Sequence, residues 1–580
     1  MSSSVKSLKD HYASWPIDLL IQRGILNDDE TIKDLVDETI NSILQIDSQL
    51  DGHYDAAFEK RLHKYMQSGT LVLGTPLLTN LRREGMTTAA CTVINLRDKD
   101  GRVDINHLRL SSEIALNAAI GTGYDLSETE DPVSILLQLN TILNSINNRL
   151  IAENKRPVAS MATLRADHPK ISEFIQAKRL ANFADWRLNT SVFVTEKLFM
   201  AARLGLPWQL IDNNGQIIKT VPAMSIIKQL ANNAWFCGEP GILFIDRINH
   251  DNPTPQWKYT STAPCAEVAM AEGEACQFSY INVGSTVKRN KNGVIEFDHK
   301  NFIQAAKDIT RLLDAGVEKS VAHQESVGIN LVGQKRRIGV GITGFADLLI
   351  HLRLGYGSAE SIKLASEISE LLDYGSKLES VRLAQQRGSF PAFSASRYCD
   401  KDWIQRKNKY SSGIITDSEW SNLHNQIHSR GIRHSSTTAI PPTGTSSVIA
   451  GTSHSLEPLQ SLINSKKSIN KIIVKSIRES FSDNEAEDII FHIEQNNGIV
   501  KDKNILQKAP WLMTAQQIDY NSHINIQSSF QRFLDESVSK TINMPEDSSP
   551  TDVTNILFAA YTNQLKGITV FRDNCLSNRR

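Results

Sequence analysis

After Gly69 the sequence alternates short, apolar, β-rich runs with helical stretches, and few architectures accept such a pattern. The strand candidates are GTLVLGT, CTVINL, TSVFVTE, GILFIDR, RRIGVGITG, HSSTTAIPP and KGITVF. Between them lie HLRLSSEIALNAAI, ISEFIQAKRLANFA and AAKDITRLLDAGVEKS, which read as helices. Strands separated by helices are joined as parallel neighbours through crossovers, so an α/β body is expected over 69–460. Before it, 1–68 reads as helices: DETIKDLVDETINSILQI and FEKRLHKYM place apolar residues three and four apart. After it, 461–580 is mainly helical and polar until the final strand run KGITVF. No fixed-period repeat and no long low-complexity linker divides the chain.

Composition narrows the function. The 580 residues carry 63 Lys+Arg against 64 Asp+Glu, so there is no basic excess to neutralise a phosphate backbone, and direct nucleic-acid binding is not expected. MSSSVKSLKDHYASW lacks the apolar run of a signal peptide, and no stretch reaches the ~18 apolar residues of a membrane span. A cytoplasmic protein with no membrane partner is expected. The six cysteines, Cys91, Cys237, Cys265, Cys276, Cys399 and Cys575, form no Cys-x-x-Cys pair, and scattered thiols in a reducing compartment are ordinarily small buried hydrophobes.

Two motifs invite readings that their surroundings do not sustain. Gly339-x-Gly341-x-x-Gly344 follows a strand run and opens a helix, the local setting of a dinucleotide fingerprint. The next segment, LRLGYGSAESIKLASEISELL, supplies no second strand ending in an acid, so the glycines are expected to allow close strand-to-helix packing. His424 and His428 stand one helical turn apart, but no carboxylate is placed as a third ligand; a solvated helix face is expected, and no metal site.

In STAPCAEVA, Cys265 and Glu267 lie two apart in what reads as extended chain, which puts both side chains on one face. A neighbouring carboxylate raises a thiol's pKa, so this is poor placement for a thiolate nucleophile. It suits a thiol that reacts as a neutral hydrogen-atom donor or as a radical, with the carboxylate as general base. Cys276, eleven residues on, lies on a returning segment that would let it face Cys91. Spacing alone leaves the ordinary buried-thiol reading in place.

Seven segments in one order resemble the catalytic subunit of ribonucleotide reductases, most closely the adenosylcobalamin-dependent branch. They are LGTPLLTN…TTAACTVINL, LRADHPKISEFIQAKR, GEPGILFIDRINHDNPTP, APCAE…AC…IN, RRIGVGITGFADLL, PPTGTSSVIAGTSHSLEPL and VSKTINMPED…LKGITVFRD. The resemblance implies a ten-stranded α/β barrel of two parallel five-stranded halves, with helical additions at both ends and the last strand associated with the barrel. It assigns Cys265 as the thiyl radical that takes the 3′ hydrogen of the ribose, and Glu267 as the base for the 3′-OH. Cys91 and Cys276 become the pair oxidised to a disulfide. Pro442, Thr443, Gly444, Thr445 and Ser446 become the substrate-phosphate turn, and Thr75, Ala90, Gly121 and Ala263 further substrate positions. An external dithiol such as thioredoxin is the implied reductant; a homodimer is allowed.

The radical source follows by elimination within the family. Where the oxygen-dependent class carries two tyrosines, this chain has Val570-Phe571, so a radical-generating small subunit is not favoured. The tail DNCLSNRR has no glycyl-radical segment, which leaves adenosylcobalamin. The family's Asn two residues before the radical cysteine is Ala263 here, its hydroxyl residue before Cys91 is Ala90, and ENKRPVASMA replaces its effector-sensing loop. A C-terminal cysteine pair and an N-terminal regulatory extension are missing from the expected pattern, as in a reductase stripped to its core. The lost Asn also fits two alternatives: a related radical enzyme that makes another modified nucleotide, or a silent nucleotide-binding paralogue.

Overall fold

The apolar periodicity over 29–46 becomes a helix, Ile32–Asp51, opened by a capping box in which the Thr31 hydroxyl accepts from the Asp34 N–H and the Asp34 carboxylate from the Thr31 N–H, each at 3.2 Å. It ends at Gly52, whose φ of 72° suits glycine. Leu35, Val36, Ile40, Ile43 and Leu44 face inward and join one core with the helices Ala56–Ser68 and His299–Val321. Each such side chain stabilises by about 1.5–3 kcal/mol. The same contact carries charge: buried Arg311 pairs with Asp47 at 2.6 Å and Asp55 at 2.7 Å.

The chain is a computed structural model that describes residues 11–575 apart from 99, 154, 181–185 and 465–466. The expected helical readings over 1–10 and 181–184, and the tail beyond 575, lie outside the described residues.

Strand β1 (Leu71–Leu73) opens the α/β body. The strands β2 (Cys91–Val93), β3 (Gly121–Asp125), β4 (Ser160–Arg165) and β5 (Leu188–Val194) then follow, each separated from the next by a helix. A hairpin, β6 (Pro207–Ile211) with β7 (Ile217–Pro222), precedes β8 (Gly241–Phe244). Strands β2-β3-β4-β5-β8 pair in that order, all parallel. A two-residue ladder, β9 (Ser261–Thr262) with β10 (Ala269–Met270), is antiparallel and leads into β11 (Ala275–Cys276) and β12 (Phe278–Asn282). A second surface hairpin, β13 (Val287–Arg289) with β14 (Ile295–Phe297), precedes β15 (Gly339–Thr343).

β12 is antiparallel to β1 and parallel to β15. Val340 of β15 bridges Thr438, and Ile440 bridges Val538, both in parallel sense. The last strands, β16 (Thr541–Met544) and β17 (Gly567–Arg572), are parallel to each other. β17 meets β8 and β11 meets β2, and both of these junctions are antiparallel.

All seven expected runs fall on or beside this pairing, although HSSTTAIPP contributes only the isolated bridges at Thr438 and Ile440. Several strands lie outside those runs, among them GTGYD, SMATLR, FSYIN and TINM. The region after 461 folds mainly into helices, among them Lys471–Ser480, Asp483–Gln495 and Tyr520–Gln531. Leu462, Ile473, Ile477, Ile489 and Ile493 form a satellite core there with Ile350. Among the described residues no helix is long and apolar enough to cross a membrane.

The three glycines of the fingerprint-like segment have packing reasons. A Cβ on Gly339 would stand 2.6 Å from the Phe278 ring, and one on Gly341 3.0 Å from the Ala439 carbonyl. These are strand-to-strand approaches rather than the expected strand-to-helix one. Gly344 has φ of 80° and turns the chain into the helix Phe345–Leu352.

The expectation for His424 needs correction. In the helix Asp417–Arg430 only His428 is exposed; His424 is buried and stacks on Trp420 with centroids 5.5 Å apart, and burial pulls its pKa to about 4. The helix lies close to Ala359–Arg387 on that side, so the two imidazoles do not share one environment.

Candidate active site

The site forms where β11 crosses β2. Cys276 is directly opposite Cys91 in antiparallel register. Such neighbours have Cα atoms ~4.5–5.5 Å apart, inside the range over which a disulfide closes. Both thiols are reduced and buried, within a cluster made by Val72, Val93, Val268, Phe278 and Tyr280. Burial first, then the charge of Glu267, pushes the Cys91 thiol well up; burial does the same for Cys276, against the pull of Arg337. Neutral thiols are therefore the resting forms. Beside them, Ala90 donates its N–H to the Cys276 carbonyl at 2.9 Å and accepts from the Gly121 N–H at 2.8 Å. A Cβ on Gly121 would lie 3.2 Å from Cys91 Sγ and 2.9 Å from Pro264 Cγ, so only glycine lets the next element approach.

That element is the turn Pro264–Glu267 between β9 and β10. The expected extended conformation for STAPCAEVA is corrected here: Pro264 and the φ of 65° at Ala266 break the strand, and the Ala266 N–H closes back on the Ala263 carbonyl at 2.9 Å. The hairpin is held by the Ala263 N–H on the Val268 carbonyl (2.8 Å) and by Asn189 Nδ2, which donates to the Pro264 carbonyl (3.2 Å). The Ser537 N–H adds a bond to the Glu267 carbonyl (2.8 Å). At its tip Cys265 is exposed and lines a cavity. Burial and then Glu267 raise its pKa, so it too stays an uncharged S–H. Glu267 is buried, its Oε2 has no hydrogen-bond partner, and burial lifts its pKa to about 7. A carboxylate with a free acceptor and a pKa near neutrality suits a general base.

The cavity has a volume of about 380 Å³. Its wall brings together Thr75, Ala90, Cys91, Gly121, Cys265, Glu267 and the turn Pro442–Ser446. Ala263 stays fully buried beneath the tip, and Cys276 lies behind Cys91. Gly444 opens the helix Gly444–Ala450, and a Cβ there would meet nothing within 4 Å. The Ser446 hydroxyl donates to the Leu73 carbonyl at 3.0 Å and stands 3.4 Å from that of Thr75. Thr443 Oγ1 accepts from the Ser455 N–H at 2.8 Å, so this hydroxyl is engaged in holding the turn.

Behind the thiols lies a fully buried ionic cluster that sequence reasoning missed. Lys335 and Arg337 bind the two oxygens of Glu274 at 2.7 and 2.9 Å. Arg337 also donates to the Ala269 carbonyl at 2.6 Å and to the Tyr259 hydroxyl, and pairs with Glu536 at 3.4 Å. One guanidinium thus ties the hairpin bearing Cys265 to the segments that precede Cys276 and Ser537. Burial lowers Lys335 to about 8 even beside Glu274. Arg337→Leu should cost about 3–5 kcal/mol, because it leaves buried acids short of countercharge. Denaturant unfolding tests this, and a loss under about 1 kcal/mol would remove the clamp from the account.

Tyr280, Arg23 and Arg156 also line the cavity and were missed. Tyr280 had a signal in the alternation Phe278-Ser279-Tyr280-Ile281, which puts two aromatic residues on one face of a strand; the arginines had none, since only tertiary folding brings 23 and 156 together.

Comparison with known proteins matches this geometry to a family. The barrel domain of ribonucleotide reductase matches residues 89–571. A vitamin B12-dependent ribonucleoside-diphosphate reductase of Thermoplasma acidophilum is 28% identical, over 95% of this chain and 69% of its own length. One from Mycobacterium tuberculosis is 26% identical, over 96% of this chain and 78% of its own. The Actinobacillus ureae class Id ribonucleotide reductase alpha subunit shares the fold with a TM-score of 0.74 at 16% identity, covering 99% of both chains. With more than two thirds of its length inside that match, the chain belongs to the ribonucleotide reductase large-subunit family, through its barrel domain.

Proposed function

We propose that this chain is an adenosylcobalamin-dependent ribonucleotide reductase, an oxidoreductase that converts ribonucleotides to 2′-deoxyribonucleotides while a cysteine pair becomes a disulfide. One observation carries the reading: a thiol exposed to the cavity stands beside an orphaned buried carboxylate oxygen, over two buried thiols in cross-strand register.

In this reading Cys265 Sγ, as a thiyl radical, takes the 3′ hydrogen atom of the ribose, and Glu267 accepts the 3′-OH proton. The 2′-OH leaves as water. Cys91 and Cys276 supply two electrons and two protons and form one S–S bond, and the Cys265 S–H returns a hydrogen atom to C3′. The sum is one ribonucleotide and two thiols giving one deoxyribonucleotide, one water and one disulfide. An external dithiol of the thioredoxin kind then restores the pair. Cys265 opens to the cavity, so substrate filling that cavity is what would keep water from the radical.

Adenosylcobalamin, when bound, supplies the one-electron oxidation that makes the Cys265 radical. The residues fit that role in one respect that matters: Cys265 is accessible from the cavity, whose lining includes the uncharged Pro157, Val158 and Pro264 that would meet the adenosyl end. Val570 is buried and Phe571 half-buried, and neither side chain offers a phenol to an alternative relay.

The roles assigned to Thr75, Ala90, Gly121, Ala263 and Pro442–Ser446 in holding substrate belong to the same proposal. So does a ten-stranded barrel built from β2-β3-β4-β5-β8 and a second set of β17, β16, 438–440, β15 and β12, supported by the antiparallel junctions between the sets. We assign 1–68 as a helical N-terminal region, 69–460 as the catalytic body and 461–580 as a mainly helical region whose last strand joins it. A cytoplasmic homodimer is the proposed assembly.

An anaerobic assay with ribonucleoside di- and triphosphates, adenosylcobalamin and dithiothreitol tests the reading. Deoxynucleotide that forms only with adenosylcobalamin is expected. Without dithiothreitol, pre-reduced protein should stop after about one product per chain, with a Cys91–Cys276 disulfide found by peptide mapping. Failure to form deoxynucleotide, or formation without adenosylcobalamin, would overturn it.

A further inference from the structure

Charge balance in the cavity points to an unassigned part of the site. The turn 442–446 offers only hydroxyls and N–H groups, with no lysine or arginine. Among the described lining residues the charged side chains are Glu267, Arg23 and Arg156. A nucleoside diphosphate carries two or three negative charges, and an anion entering a confined site is costly unless paired. The two arginines are the available countercharge.

Both lack partners of their own. Among the described residues neither guanidinium makes a hydrogen bond or ion pair, and the buried Arg23 Nε is unsatisfied. Their neighbours Arg82 and Arg83 do have protein partners. Arg82 is paired with Glu30 at 2.6 Å and donates to the Ile25 carbonyl; Arg83 donates to the Gly24 carbonyl at 2.7 Å. These bonds fasten the segment just after Arg23 to the end of the helix Thr75–Asn80, so Arg23 is presented by a braced backbone. Arg156 is exposed on the cavity wall, where the surrounding protein and then the charge of Arg23 disfavour its charged form. Two guanidinium groups on one cavity wall, neither engaged by the protein among the described residues, leave their donors available to an anion.

We infer that Arg23 and Arg156 together clamp the phosphate groups of the nucleotide substrate, so that the helical N-terminal region completes the binding site. The inference rests on the reductase reading for the identity of the ligand. A guanidinium fits phosphate oxygens two at a time, and each such charge-assisted contact is worth about tenfold in affinity or more. The clamp selects for the di- or triphosphate over the bare nucleoside.

Titration calorimetry on the full chain tests it, with cytidine 5′-diphosphate and cytidine as probes and wild type compared with Arg23→Gln, Arg156→Gln and the double variant. Each single change should weaken diphosphate binding about tenfold, and the double about a hundredfold, with cytidine binding unchanged and the salt dependence of diphosphate binding reduced. Arg23→Lys should recover part of the loss, which a folding defect would not permit. Unchanged diphosphate affinity in the double variant overturns the clamp, as does equal weakening for cytidine. The two readings fail separately. Wild type that makes deoxynucleotide while the double variant keeps its KM sinks the clamp alone. Arginine-dependent diphosphate binding in a wild type that makes no deoxynucleotide sinks the reductase reading alone. No diphosphate binding by wild type sinks the clamp outright.

Discussion

Cys265→Ser should abolish deoxynucleotide formation, by at least about four orders of magnitude, while leaving nucleotide binding and the melting temperature near wild type. Serine fills almost the same space at the hairpin tip, which is exposed to the cavity and shaped by Pro264 and by the turn at Ala266. Its O–H bond is far stronger than S–H, so it neither yields nor returns a hydrogen atom under the same driving force. A thiolate mechanism would respond differently: serine would retain some nucleophilic activity at high pH. The measurement is anaerobic turnover with parallel calorimetry for the nucleotide. Persistent product above about one part in a thousand would remove Cys265 from the radical role.

Glu267→Gln should slow turnover about 10²–10⁴-fold and alter its pH dependence. Burial raises the Glu267 pKa to about 7, so the basic form grows tenfold per pH unit below that value and saturates above it. Wild-type turnover should therefore climb from pH 5.5 to about 7 and then level, and the variant should lose this limb. Stability moves the opposite way. The folded carboxyl holds its proton up to about 7, whereas an unfolded one releases it at the ordinary carboxylate value. Across that window the folded state binds more protons, and stability falls as pH rises. Glutamine removes the ionising group, so the variant should melt higher than wild type at pH 8. A flat wild-type profile, or a variant equally active and no more stable, would contradict the general-base role.

These two expectations use residues that were legible in APCAE before any coordinates, and the limits of that legibility are physical. Period-two and period-3.6 patterns revealed the runs that became β1, β2, β5, β8, β15 and β17, and the amphipathic helix Ile32–Asp51. GTGYD and SMATLR escaped because a fully buried parallel strand has no polar face to alternate, and glycines in GTGYD argue against a strand on propensity alone. Cys265 and Glu267 were found together, but for a partly wrong reason: extended geometry was expected, and a turn delivers them. The facing of Cys91 and Cys276 depends on strand register, which spacing alone does not set. Arg23, Arg156, Arg337 and Glu274 were beyond reach. Their importance lies in which charges end up paired in the folded interior, and 1–68 offered only helical periodicity.

The crossing of β11 over β2 has a mechanical consequence. Oxidation of Cys91 and Cys276 during turnover would place a covalent stitch between strands about 185 residues apart, at one of the two antiparallel pairings in the sheet that holds β2 and β8. In the chain-entropy limit such a long loop, once closed, is worth about 5 kcal/mol against unfolding. The protein would thus alternate between a sewn and an unsewn state with each catalytic cycle, tightest immediately after product forms and loosest once the external dithiol has reopened it. Catalysis and fold integrity would then share one bond, and the reductant supply of the surroundings would set how much of the population is locked at any moment.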